Sequence, residues 1–220
     1  MPELDDVTGL DTRAAPSVPW WGVLSSISAP VLLVAGWTVA AWLQPAAYDP
    51  VSESVSDLMA IGATDRWLMT TAFLAVGVCY IITGIALRPA GTAARLILIA
   101  GALTGMLVAA FPLHPDGISV WHGIWSAFGF AGLAAWPLRA WRRGPSVPWG
   151  LRPLACFGAV AVQVALLAWF VAEVVLVGNW IGLAERLTGL AQTLAPLIVV
   201  LSCRLSRPRR ADILPAVRMS

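Results

Sequence analysis

Eight residues of this 220-residue chain have types and spacings that can support chemistry: Ser56, Asp57, His114, Asp116, His122, Glu173, Glu185 and Arg186. Asp57 and His122 would serve as acid and base or as metal ligands, with Ser56 beside them as a further catalytic candidate. Asp57, His122 and Glu185 are donors that a divalent metal such as zinc accepts. His114, Asp116, Glu173, Glu185 and Arg186 add hydrogen-bonding and charged groups suited to holding a ligand. The same residues can equally pair among themselves and lock helices together. Structural pairing, a ligand pocket, and a metal or acid–base centre on Ser56, Asp57 and His122 therefore stand side by side.

Local patterns say how these groups are held. Pro115-Asp116-Gly117 is a tight-turn signature that keeps His114 and Asp116 in a compact loop. Ser119 or Asp116 can cap the helix that follows, which places His122 in its first turn, where the positive end of the helix favours a neutral ring. A neutral imidazole acts as a base or metal ligand. His122, Ser126, Gly129 and Gly132 recur at helical spacing as a small and polar stripe, which faces other helices rather than lipid. Glu185, Thr188, Gly189, Gln192 and Pro196 form a second such stripe. Glu185 lies about one turn inside its apolar run, and an acid at that depth is paired or functional.

The elements that must position these residues are membrane helices. The chain is 59% hydrophobic and 12% charged, with mean hydropathy +0.79, against roughly 45–50% and about 25% in soluble domains. Six apolar runs approach the ~20 residues a span needs: 20–43, 67–87, 93–111, 118–138, 154–177 and 180–201. All 14 basic residues are arginine, and only Arg66 and Arg186 fall at one alternate set of joints. The other twelve mark the cytoplasmic side by the positive-inside rule. The expected fold is thus an all-α six-transmembrane-helix bundle with both termini cytoplasmic, multi-pass in the plasma membrane. Residues 1–19 form a cytoplasmic tail, 20–203 the transmembrane domain and 204–220 a basic cytoplasmic tail. Tryptophans gather near both ends of the runs as interfacial belts. Gly101 and Gly105 form a small-xxx-small pair for close helix packing.

The joint at 44–66 is the least ordinary. Asp49-Pro50 reads as a helix start, with Val51, Val55, Leu58 and Met59 on one face and Ser52, Glu53, Ser56 and Asp57 on another. A short amphipathic helix at the outer interface is expected there. Several functions are excluded. The net charge of +2 and dispersed basic residues argue against nucleic acid. Cys79, Cys156 and Cys203 stand apart without a C-x-x-C pair, and no P-loop, H-E-x-x-H or G-x-S-x-G occurs.

SESVSDLMA after the first run, FPLHPDG running to His122, and GLAERLTGLAQTL opening the sixth together resemble the bacterial and archaeal membrane proteins of the domain of unknown function 998 family, over roughly residues 20–203. The resemblance implies a six-helix membrane protein whose recurring polar positions match Ser56, Asp57, Asp116, His122 and Arg186; it brings no activity. A fainter similarity, to membrane hydrolases of the ceramidase and progestin-receptor-like type, stops at two histidines without the closing H-x-x-x-H. The expected function is binding or processing of a lipid or small amphiphile at the outer leaflet, by hydrolase-type chemistry if the protein is an enzyme. The alternative is a transporter, receptor or partner-stabilising subunit whose polar cluster is a structural network.

Overall fold

The computed structural model describes residues 17–115 and 119–206. Seven α-helices run through them: α1 Trp20–Trp42, α2 Arg66–Ala86, α3 Thr92–Ala110, α4 Val120–Ala135, α5 Pro137–Ala140, α6 Pro153–Leu176 and α7 Ile181–Leu205. Among the described residues there are no strands. Helices α1, α2, α3, α6 and α7 are each long and apolar enough to cross a membrane. Helix α4 has 16 residues, which rise about 24 Å, short of the ~30 Å hydrocarbon layer. It stops at Ala135 because Pro137 brings no backbone N–H to continue the ladder, and α5 resumes at that proline.

The helices close on themselves in a ring. Helix α1 packs on α2, α2 on α3, α3 on α4, α4 on α6, α6 on α7, and α7 back on α1. In lipid, close packing and buried hydrogen bonds rather than apolar burial draw helices together. The α3–α4 seam shows it: a Cβ placed on Gly132 would lie 2.8 Å from Gly101 Cα, and one on Gly129 would lie 3.1 Å from Gly105 Cα. The Gly101/Gly105 pair therefore packs within the chain. Between α1 and α2, Gly22 meets the Ala86 methyl and the Ser25 and Thr83 hydroxyls share a buried 2.8 Å hydrogen bond. Helix α6 is the most outward, with only Cys156 and Gln163 buried.

Arginine at the joints satisfies helix-end carbonyls, which lack partners of their own. Arg95 donates to Gly84 O (2.7 Å) and Ile85 O (3.0 Å) at the end of α2. Arg142 donates to Ala90 O at 2.8 Å and to the carbonyls of Arg139, Ala140 and Trp141. It lies against Gly91, whose φ of +81° and lack of a side chain admit it. These contacts, with those of Arg204 to Val18 O, define an arginine-rich end of the bundle. The opposite end carries the loop between α1 and α2.

Candidate functional site

That loop departs from the expected amphipathic helix. Glu53 N donates to Asp49 O at 2.8 Å, making one helical turn, and the chain then runs through turns to a three-residue 3₁₀ helix, Asp57–Met59. The carbonyls that would continue a helix are taken elsewhere. Leu183 N donates to Val51 O at 3.0 Å, and Arg186 Nη1 donates to Pro50 O at 2.6 Å and Glu53 O at 2.9 Å. Leu58 and Met59 are buried while Val51 is exposed, so the segment is a plug against the bundle and not a helix lying along an interface.

The loop is pinned at several points. Gln44 pairs its amide with Thr64 in both directions, at 2.9 and 3.1 Å. Ile61 N reaches Leu113 O at 2.9 Å, joining this loop to the one after α3. Arg186 adds a 2.7 Å bond from Nη2 to the Tyr48 hydroxyl and a 3.0 Å bond to Gly182 O. Any side chain at Gly182 would run into Glu53 O, with Pro50 O 2.6 Å away. Only glycine lets the loop sit this close to the start of α7. Burial raises the Tyr48 phenol above its ordinary value, with Arg186 pulling the other way. Asp49, fully exposed, is held below the usual carboxylate range, chiefly by the Val51 N–H and then by the Ser52 hydroxyl.

At the centre of the docked loop is a chain of hydrogen bonds from three distant segments. Glu185, buried one turn into α7, accepts from Val55 N at 2.6 Å through Oε2 and meets the Ser56 hydroxyl at 3.2 Å through Oε1. Ser56 Oγ lies 3.0 Å from His122 Nε2. His122 Nδ1 lies 2.9 Å from Phe111 O, and Ser119 caps α4 by accepting from His122 N at 3.4 Å.

Counting protons along this chain defines its states. Phe111 O only accepts, so His122 Nδ1 carries a hydrogen and Nε2 presents a lone pair when the ring is neutral. The Ser56 hydroxyl has one hydrogen but two neighbours, Glu185 Oε1 and His122 Nε2. If Glu185 is ionised and His122 neutral, one contact has no hydrogen to fill it. One added proton completes both, either on Glu185 with the Ser56 O–H turned to His122, or on His122 with the O–H turned to Glu185. Ser56 is the hinge between the two forms.

The remaining candidate residues are placed as follows. Asp57 closes a capping box with Ser54: its carboxylate accepts from Ser54 N (2.7 Å) and Ser54 Oγ (2.8 Å), and its own N–H donates to Ser54 Oγ (3.0 Å). Arg186 serves the loop carbonyls. Glu173 accepts from Trp169 Nε1 and Trp180 N, both at 3.0 Å, stitching the α6–α7 turn. His114 is exposed on the loop after α3, and Asp116 lies outside the described residues. The structure thus brings Ser56, His122 and Glu185 together. Among the described residues, no three His, Cys, Asp or Glu side chains are grouped to hold a metal ion, and Asp57, His122 and Glu185 each face other partners. Sequence reasoning omits Ser54, Tyr48 and the backbone groups of Val55 and Phe111. Ser54 was findable, since Ser54-x-x-Asp57 has capping-box spacing.

Below Ser56 and Glu185 lies a cavity of about 80 Å³ enclosed by α1, α2, α3, α4 and α7. Its walls are largely apolar, with Leu33, Trp37, Phe73, Val76 and Met106 prominent, and Val55, Ser56 and Glu185 line the end beneath the loop. Gln192 lines it, and its side-chain amide donates to Phe130 O at 3.0 Å.

Comparison with known proteins gives a single line of relationship. None of the curated proteins and none of the solved structures matches the chain. The family model described as Protein of unknown function (DUF998) matches residues 27–202, which include Ser56, His122, Glu185 and every residue lining the cavity. The chain belongs to the DUF998 family.

Proposed function

We propose that this protein is a six-span membrane protein that binds and hydrolyses a lipid or small amphiphile from the outer leaflet, with Ser56 as nucleophile and His122 as its base. The observation that carries the reading is the Ser56 Oγ–His122 Nε2 contact of 3.0 Å with Nδ1 anchored on Phe111 O. A nucleophile, a base and a group that orients the base are the parts such catalysis needs. As Oγ attacks an ester or amide carbonyl carbon, its hydrogen passes to His122 Nε2. The imidazolium returns that hydrogen to the leaving group, and water repeats the sequence to release the acid and restore Ser56. When Glu185 carries the proton of the one-proton state, Oε1–H points at Ser56 Oγ and keeps the Ser56 hydrogen turned toward His122.

The orientation belongs to the same proposal. Helices α4 and α5 together cover Val120 to Ala140, about 30 Å of rise, and serve as the remaining span. Arginine at the opposite end supports, by the positive-inside rule, a plasma-membrane protein with that end and both termini cytoplasmic and Ser56 toward the outer side. His114, exposed on the loop after α3, and Arg186 at this rim are the groups proposed to meet a ligand headgroup. A second reading rests on the Val55 N–Glu185 and Arg186–carbonyl bonds: a loop clamp that stabilises a non-enzymatic membrane module.

Purified protein in nanodiscs, assayed with fatty acyl esters and with a fluorophosphonate probe, separates the two. Hydrolysis and labelling in the wild type that Ser56→Ala abolishes and His122→Ala lowers by about 10²-fold or more support the hydrolase. Equal rates in wild type and Ser56→Ala, with no labelling, refute it.

A further inference from the structure

The cavity beneath Ser56 has a depth, a width and a polarity that together select a substrate. Its lining on α7 runs from Glu185 to Thr193 and on α4 from Ser126 to Leu133, so at 1.5 Å per residue it extends about 10–12 Å along the helices from its loop end. That is most of the ~15 Å hydrocarbon thickness of one leaflet. Tyr80, Leu133 and Thr193 mark its deepest level. At about 80 Å³ it is narrow, and the closed glycine seam between α3 and α4 prevents it from widening on that side. Of its hydrogen-bonding groups, which include Trp37, Tyr80 and Ser126, Gln192 and Thr193 already bond Phe130 O and Leu190 O, and the other walls are largely apolar.

From these features we infer that the cavity is a slot for one acyl chain, whose carbonyl carbon sits at Ser56 and whose length the slot measures. The substrate class is then a single-chain acyl ester or amide with a compact polar head; a pair of chains does not fit. This rests on the hydrolase reading of Ser56 and adds the identity of what Ser56 attacks. Gly105 is the gauge. It lines the slot, and a Cβ added there meets nothing within 4 Å. A larger side chain at Gly105 therefore starts into open space and shortens the slot.

The test compares p-nitrophenyl butyrate, octanoate and palmitate as substrates for wild type, Gly105→Ala and Gly105→Leu in nanodiscs, with size-exclusion profiles to confirm folding. The wild type should gain in kcat/KM from butyrate to octanoate and gain no further with palmitate, whose extended chain is longer than the slot. Gly105→Leu should lower the octanoate-to-butyrate ratio by about fourfold for each methylene it excludes, and Gly105→Ala, which adds one methyl to open space, should shift it less in the same direction. A uniform change across all lengths, or none, overturns the slot. Loss of hydrolysis altogether in the wild type sinks the Ser56 reading instead, and the slot is then decided by photolabelling with a diazirine-bearing palmitic acid. Label mapped to Met106 and Phe73 that Gly105→Leu removes keeps the slot; label elsewhere, or insensitive to Gly105→Leu, overturns it.

Discussion

Replacing Glu185 in two ways distinguishes a carboxylate that acts through its charge from one that acts through its hydrogen bonds. The buried Val55 N–H donates to Glu185 Oε2 at 2.6 Å, and Oε1 faces Ser56 at 3.2 Å. In Glu185→Gln the amide oxygen can still accept from Val55 N. The amide nitrogen can donate to Ser56 Oγ, which turns the Ser56 hydrogen to His122 and reproduces the form in which Glu185 is protonated. In Glu185→Ala both partners lose their contact, and an orphaned buried N–H costs roughly 1–3 kcal/mol. That corresponds to a roughly 5- to 150-fold faster local opening. Amide hydrogen exchange at Val55, measured by mass spectrometry of the 44–65 segment in nanodiscs, reads it directly. Glu185→Gln should exchange within about threefold of wild type, and Glu185→Ala should be faster by the amount given. Equal acceleration in both variants would refute the hydrogen-bond account and assign the role to charge.

Two further outcomes follow from the loop's attachment. Gly182→Ala drives a methyl into Glu53 O and Pro50 O, a backbone clash of the kind that costs about 1–3 kcal/mol; proteolysis of residues 44–65 should accelerate while the helices stay intact, and unchanged proteolysis would show that the loop yields. Tyr48 should titrate above its ordinary ~10. A raised folded value means its contribution to loop stability is complete below pH ~10 and is lost as pH rises through the folded value; tyrosinate absorbance of wild type minus Tyr48→Phe, with a midpoint at or below 10, would contradict this.

What the sequence makes legible follows from the range of the interactions involved. Long apolar runs, glycine pairs and the Ser119 cap are local, and α1, α2, α3, α6 and α7 appear where hydropathy puts them. The convergence of Ser56, His122 and Glu185 at one end is legible as well, because all three flank joints that lack arginine clusters. The conformation of 44–66 is not. Asp49-Pro50 with its alternating faces is a sound local helix signal, but the outcome is decided by α7, more than a hundred residues away. Arg186 and Leu183 N take the carbonyls of Pro50, Val51 and Glu53, and a helix would need those same carbonyls. The role of Asp57 turns on a local signal that competes with a functional one: the same carboxylate reads as a catalytic acid or as the N3 member of a capping box, and the geometry shows the second.

The partners of each polar group give the strongest argument for where chemistry resides. Arg95, Arg142 and Arg204 cap or bridge backbone carbonyls, Arg186 fastens the loop, Glu173 closes a turn, and Asp57 completes a cap. Each of these contacts is accounted for by folding alone. The Ser56–His122 contact is different. It joins two side chains from segments that Ile61 N and Leu113 O already connect, it caps no helix, and it can be filled together with the Ser56–Glu185 contact only when the three residues share an extra proton. With Glu185 ionised and His122 neutral one buried contact is unfilled, which costs stability, and one added proton fills both. The proposed hydrolysis would use this contact to pass the Ser56 hydrogen to His122, beside the largely apolar cavity that Ser56 lines.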